Sequence, residues 1–477
     1  MGQEISSRHF SETDFATYQE RLRVETDRLV AWFREQRFST HDRVGGFELE
    51  AWLIDGNSQP ASINKRFLAR LGDPMVVPEL ARFNVELNTQ PMQLTGRALS
   101  LMQRHLQDTW GNCERVAVEL GAHMLMIGIL PTLDEARLSA GNMSDLERYR
   151  ALNEQVLRQR GGKPLALDIL GREHLKLTHH DVMLESAATS FQIHLKVAQT
   201  NAVRYYNLAH ILAAPMVAVS ANSPYLFGRD LWDETRIPLF EQSVEVGGFE
   251  GAAHGPMRRV SFGTGYLHES LMECFQENLE HYPALLPERF PEGDETLPHE
   301  RLHNGTIWRW NRPLLGFDDD GTPHLRIEHR VVPGGPSIPD LIANAAFFFG
   351  LVQSLGGCET AAESRLNFAD ARDNFYHAAH DGFDAQVRWL DGQRGRMQVL
   401  LAEHLLPQAR RGLLELSIDP EDIAYYLGII EGRVHKACNG AVWQRAYVAE
   451  HGASMARLVE AYRERQNSGL PVHEWQI

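Results

Sequence analysis

Cysteine is scarce in this chain. Its 477 residues hold four, Cys113, Cys274, Cys358 and Cys438, too scattered for a metal-type spacing or a disulfide framework. They read as thiols of a reducing compartment. Basic residues are outnumbered: 47 Lys and Arg against 63 Asp and Glu leave a formal charge of −16. That surplus excludes a general nucleic-acid binder, whose phosphate affinity comes from Lys and Arg surfaces. It does not exclude a small anion held in a local cationic pocket. Long apolar runs are missing too. The longest, Ile211 to Val219, is about half of a membrane span, and Met1 to Arg8 lack the apolar stretch of a signal peptide. No repeat or low-complexity tract is present. A soluble, cytoplasmic protein without a membrane partner is the expectation.

What is there is enough to build a large core. Hydrophobic residues make up 43% of the chain, and the length fits two or three domains, or one catalytic domain with an appendage. From Phe15 to Phe38 apolar residues recur at helical spacing behind Ser11 or Thr13 as a cap. A strand-rich region starts at Val44. Helical pattern returns over 98–120, a buried strand spans 124–129, and 140–160 is polar and helix-compatible. An apolar helix runs from about Val203 to Val219. The Pro- and Glu-rich stretch 283–298 reads as a surface excursion. Asp318-Asp319-Asp320-Gly321 reads as a hairpin turn. From about Asn344 onward the pattern is almost wholly helical, with Asp419-Pro420 as a start and Asn439-Gly440 as a stop. The division expected is an N-terminal helical segment (1–43), an α+β body (44–360) and a helical C-terminal region (361–477).

The chemistry lies in strands whose polar faces are acidic. Phe47-Glu48-Leu49-Glu50-Ala51-Trp52 alternates apolar and acidic residues, which puts Glu48 and Glu50 on one face, roughly 7 Å apart at about 3.3 Å per residue. In the strand 82–89, Asn84, Glu86 and Asn88 share a face, and Glu79 lies seven residues before Glu86. In 190–197 the shared set is Gln192, His194 and Lys196; in 325–331 it is Arg326, Glu328 and Arg330. A sheet face meeting water is ordinarily polar. It rarely gathers Glu and His on several strands, because like charges opposed across strands are destabilising. Paired in one sheet, these residues would bind several Mg²⁺ ions with a polyphosphate, acids on the metals and Lys or Arg on the phosphoryl oxygens.

These motifs resemble those of the glutamate–cysteine ligase type 2 family of carboxylate–amine ligases. Gly46-Phe47-Glu48-Leu49-Glu50 is similar to its Gly-x-Glu-x-Glu opening, and Gln192-Ile193-His194 to its Gln-x-His/Asn strand. Ser220-Ala221-Asn222-Ser223-Pro224, followed by Thr235-Arg236, resembles its Ala-Asn-Ser-Pro segment and the arginine after it. Glu328-His329-Arg330 resembles its Glu-x-Arg strand. The resemblance covers about residues 44–350. It implies a glutamine-synthetase-like α+β fold, a curved antiparallel sheet forming an open funnel flanked by helices, with the helical region added behind.

It also implies an ATP- and Mg²⁺-dependent ligase, Mn²⁺ being an alternative ion, that phosphorylates the γ-carboxylate of glutamate and lets an amine attack the acyl phosphate. By position, Glu48, Glu50, Glu79, Glu86, His194 and Glu328 would be metal ligands. Arg330, Glu328 and Lys196 would serve the phosphoryl transfer, and Arg236, Gln192 and Asn222 would bind substrate. Trp308, in the run His303 to Trp310, would cover the nucleotide or simply pack. Cysteine is the acceptor the family favours, although no cysteine pocket is identifiable. A ligase for another acid and amine, a phosphotransferase, and a non-catalytic nucleotide- or metal-binding regulator remain open, as does the oligomeric state.

Other motifs carry less. In His179-His180-Asp181 adjacent strand residues face opposite ways, which disfavours a shared metal. The Asp318 turn lacks the distal acid of a calcium loop. Pro333-Gly334-Gly335-Pro336 lacks the Lys-Ser/Thr of a phosphate loop. The closing segment Gln466 to Trp475 is expected to dock on the body through Val472 and Trp475.

Overall fold

The computed structural model describes residues 4–246, 257–291 and 293–477; Met1 to Gln3 and one position of the 283–298 excursion lie outside the described residues. The first helix, α1 (Glu12–Glu35), begins where its cap pattern requires. Ser11 accepts from the Asp14 amide while Asp14 accepts from the Ser11 amide, a reciprocal capping box.

An eight-stranded antiparallel sheet carries the body. It is formed by β1 (Val44–Asp55), β2 (Val76–Pro78), β3 (Asn84–Asn88), β4 (Met92–Gln93), β5 (Ala122–Leu125), β6 (Phe191–Val197), β7 (Asn311–Phe317) and β8 (Pro323–His329). The order is β7-β8-β6-β1-β3-β2, with β4 and β5 also pairing with the long strand β1. The register opposes Glu50 to Glu86, Glu48 to Gln192, Glu328 to His194 and Arg312 to Glu328. Because side chains alternate with period two, every even-numbered residue of these pairs falls on one face. The other face is dry: Phe47, Leu49, Val85, Ile193, Leu325 and Ile327 are all buried in one hydrophobic cluster.

That dry face is covered by α2 (Ala98–Glu119), α3 (Gln199–Ser220) and α4 (Ile338–Gly356). By length and composition alone α4 could cross a membrane, yet it is almost wholly buried in this core. Its back receives α5 (Leu406–Glu415) and α6 (Pro420–Lys436). The α4–α5 crossing is close because Gly350 meets Gly412 there, and a Cβ on either would strike a backbone carbonyl of the other helix. The last helices are α7 (Gly440–His451) and α8 (Met455–Asn467). Beyond them Trp475 packs edge-on against Trp443 and Tyr462, at 5.2 and 5.1 Å between centroids, and Val472 is buried. Residues from both sides of position 360 share each of the two hydrophobic clusters.

Two local expectations are corrected, and one hairpin appears where none was expected. Asn439-Gly440 is a start and not a stop: α6 ends where Ala437 turns left-handed, and the Asn439 side chain accepts from the Val442 amide to cap α7. The C-terminal region holds a small hairpin, Gln386–Arg388 with Arg394–Arg396, folded at Asp391-Gly392 where Gly392 takes φ 79°. Residues 165–179 form another hairpin, Leu165–Leu170 with His174–His179, whose buried residues alternate as Leu165, Leu167 and Ile169.

Candidate active site

The polar face of the sheet closes over a cavity of about 240 Å³. Among the described residues its lining includes seven carboxylates (Glu48, Glu50, Glu79, Glu86, Glu185, Glu300 and Glu328) against five guanidiniums. At one end Glu48 on β1, His194 on β6 and Glu328 on β8 bring one ligand atom each within 4.8 Å of one another. The His194 ring is buried, with Nε2 3.4 Å from Glu48 and 4.0 Å from Glu328, yet neither ring nitrogen makes a hydrogen bond with any described residue. A buried imidazole left unsatisfied beside two carboxylates fits a divalent cation, as the oxygen–nitrogen donor set does.

Glu328 is the pivot. Arg312 on β7 grips it with two hydrogen bonds, 2.8 and 2.9 Å, and Arg330 adds a third at 2.9 Å. Burial alone would raise its pKa, but Arg312 and Arg330 hold the carboxyl far below the usual range. Arg330 also donates to Gln192 Oε1, and its Nε has no hydrogen-bond partner among the described residues. Gln192 in turn donates to Glu50, whose other oxygen accepts from the Ser190 amide.

The acids away from the arginines behave oppositely. Burial, reinforced by Glu48 and Glu79, pushes Glu86 well above the usual carboxylate range. Burial, with Glu50 and Glu185 repelling and Arg148 opposing, lifts Glu79 to about 7. Burial and Glu50 lift Glu185 to about 8. Carboxylates so crowded are held for a cation or a proton.

Of the residues expected from sequence, Glu48, Glu50, Glu79, Glu86, Gln192, Glu328, Arg330 and Trp308 line this cavity, and His194 joins it through the three-residue cluster. Three others are not brought into its lining. The Lys196 ammonium is taken by both Asp318 oxygens, at 2.7 and 2.8 Å, beside the β7–β8 turn. Arg236 is buried beneath, paired with Glu234 at 3.2 Å and donating to the carbonyls of Arg330 and Val331. Asn222 is buried between the Gly334 carbonyl, the Tyr462 hydroxyl and Gln444. Within the aromatic run alternation separates the neighbours: Arg309 turns to Glu277, and Trp310 donates to Glu241.

The cavity also holds residues that sequence reasoning missed. Arg312 was hidden because Pro313 argues against a strand there, although the hairpin register opposes it to Glu328. Arg326, which alternation had already placed on the shared face, lines the cavity too, with no salt bridge to a carboxylate among the described residues. Glu185 sits on a short turn, and no pattern marks it.

With this geometry in view, comparison with known proteins is informative. The model of glutamate-cysteine ligase family 2 matches residues 44–461. A solved glutamate–cysteine ligase from Francisella tularensis, in complex with AMP, superposes with a TM-score of 0.55 at 10% identity, covering 92% of this chain and 90% of that one. A bifunctional glutathione synthetase from Pasteurella multocida gives 0.51 at 11% identity; 91% of this chain is covered, which spans about half (53%) of that longer protein. At such identities the likeness is one of fold. No curated protein matches in sequence.

Proposed function

The chain belongs to glutamate-cysteine ligase family 2, and from that premise we propose that it is an ATP- and Mg²⁺-dependent carboxylate–amine ligase that joins the γ-carboxylate of glutamate to an amino acid, cysteine first. The observation that carries this reading is the Glu48–His194–Glu328 cluster, its imidazole without a hydrogen bond to any described residue and its Glu328 held by Arg312 and Arg330, at the end of a mixed-charge cavity.

A carboxylate is a poor acyl donor until one of its oxygens becomes a phosphate leaving group. Bringing it to a polyphosphate sets anion against anion, so positive charge must be fixed in place beforehand. Glu48, His194 and Glu328 would hold one Mg²⁺, with Glu50, Glu79 and Glu86 available for others. When bound, Mg²⁺ would screen the polyphosphate and make its terminal phosphorus more electrophilic.

The chain's own groups do the positioning. Glu328 fixes the planes of two guanidiniums; Arg330, with Nε unpaired, is set to hold the transferring phosphoryl oxygens. Gln192 links Arg330 to Glu50 through one hydrogen bond on each side of its amide. Arg236 and Asn222 serve from beneath by holding the backbone that follows Arg330. Trp308 supplies an apolar wall. Because ATP, glutamate and a reduced thiol coexist in the cytoplasm, that is the proposed location.

The test is ADP formation with MgATP, glutamate and each common amino acid in turn, with products identified by mass spectrometry. γ-Glutamylcysteine is the expected product. A different amide keeps the chemistry and replaces the acceptor. No amine-dependent ADP with any acid and amine pair would sink the ligase reading.

A further inference from the structure

The main cavity is small for the work assigned to it. At about 240 Å³ it falls below the roughly 300–1,000 Å³ of ordinary small-molecule sites, so its walls must part to admit the substrates of the proposed reaction. Two of those walls meet at a seam. One is helix Glu147–Gln159, which contributes Arg148, Tyr149 and Leu152; the other is the excursion after Pro283, which contributes Leu286. They bond directly at the C-terminal end of the helix, where Gln159 donates to the Ala284 carbonyl at 3.4 Å.

Elsewhere the seam is stitched from outside, by the residues that precede α1. The Glu4 carboxylate accepts from the Arg148 amide at 3.1 Å, supplying the cap that Leu146 cannot. Two residues on, Ser6 donates to Glu288 from its amide at 2.9 Å and from its hydroxyl at 2.6 Å. The alternation continues: His9 lies 3.2 Å from Glu154 on the helix, and Asp14 accepts from Arg289 on the excursion. Between the first two stitches Ile5 is 4% exposed. It shares a hydrophobic cluster with Leu80, Tyr149, Leu286 and Leu302, each of which lines the cavity. One buried side chain and the bonds of exposed residues therefore do the holding, since Glu4, Ser6 and His9 face solvent. Contacts of that kind open at the low end of a fold's stability.

We propose that Glu4–Ser6 is a strap, with Ile5 as its stud, that closes one mouth of the cavity. Fastened, it ties the Arg148–Tyr149 wall to the Leu286 wall. Released, it lets the seam part so that a substrate enters or a product leaves. The strap stands on its own geometry; that an amino acid or its amide passes it rests on the ligase reading.

The experiment places Leu286→Cys in the full chain and follows iodoacetamide labelling of the introduced thiol by peptide mass spectrometry. Native Cys113, buried in the core behind the sheet, reports global unfolding in the same sample. Adding Ile5→Asp, which puts a charge where the stud is buried, should speed labelling of the introduced thiol at least tenfold and leave Cys113 unchanged. Ile5→Val, which keeps the stud, should leave the slow rate in place. Glu288→Ala, which removes both Ser6 stitches without adding a charge, should speed labelling at least threefold. Equal labelling with and without Ile5→Asp and Glu288→Ala overturns the strap. Should Ile5→Asp speed both thiols alike, Glu288→Ala decides: selective labelling there supports the strap, and labelling unchanged or equal at the two thiols overturns it. In turnover, Ile5→Asp without the added cysteine should raise KM for an amino acid at least fivefold while kcat holds within twofold, the split expected when a wall loosens on substrate and transition state alike. The labelling uses no turnover, so failure of the ligase assay leaves it intact.

Discussion

Two buried charge clusters in this molecule are built from the same residue types and finished in opposite ways. Behind the sheet, Arg433 of α6 places all its N–H groups: two bonds to Asp340 Oδ1, and one each to the Asp340 carbonyl, the Val219 carbonyl and Asn344. Asp340 completes its own set with Ser337 and the Val472 amide. On the site face, Glu328 is as tightly held, but His194, Asn84 and Arg330 Nε have no hydrogen-bond partner among the described residues, and acids outnumber arginines. The first cluster joins α3, α4, α6 and the tail into one body. The second is left incomplete for ligands to finish. A buried ion pair is weak evidence for stability in itself; what distinguishes structure from site is whether the hydrogen-bond inventory closes.

Variants and conditions should separate the two clusters. Glu328→Gln should lower turnover at least a thousandfold, about 4 kcal/mol on the barrier. Gln keeps one acceptor oxygen for the arginines, so the variant should remain folded by far-ultraviolet circular dichroism although its denaturation midpoint falls; full-rate turnover would remove Glu328 from the mechanism. Arg433→Leu should do the reverse, stranding the buried Asp340 carboxylate at about 3–5 kcal/mol of unfolding free energy, read by urea denaturation. A small loss there would mean that water reaches Asp340.

Saturating Mn²⁺ should raise the melting temperature, corresponding to about 2.7 kcal/mol at a hundredfold excess over Kd. The rise should shrink in His194→Asn and persist in a folded Arg433 variant. Gln466→Ala removes a side chain that bonds the Met126 amide, the Met126 carbonyl and the Pro336 carbonyl; a loss of about 1–2 kcal/mol is expected in the same urea assay.

The smallest effect is with acid. Burial, against weaker hydrogen bonds to backbone carbonyls, lowers His210 and His303 to about 4 each. Both folded values lie below the unfolded 6.5, so the unfolded chain binds the extra protons. Their stabilisation is full above pH 6.5 and is lost as pH falls toward 4, by about 1 kcal/mol each between pH 7 and 5.5. His210→Gln should flatten that part of the melting profile.

Legibility in the sequence followed the range of the interaction. The period-two alternation of Glu48/Glu50, Gln192/His194 and Glu328/Arg330 announced the site face, because a strand assigns faces from local order alone. Ser11 announced its capping box for the same reason. Asn439 misled, since an Asn before a helix and an Asn after one look alike until the φ of Ala437 is known. Lys196 misled in another way: alternation put it on the right face, but only the hairpin turn brought Asp318 to it.

The sequence by itself determined the four acid- and imidazole-bearing strands, their polar faces and the family to which they belong, because these depend on residue order within single elements. Only the tertiary structure decided which acids meet, that Arg312 locks Glu328, that Arg236 and Asn222 support from below, and that Glu4 and Ser6 reach Arg148 and Glu288. Those contacts close distances between residues tens to hundreds of positions apart, and no local pattern encodes where two distant turns will meet.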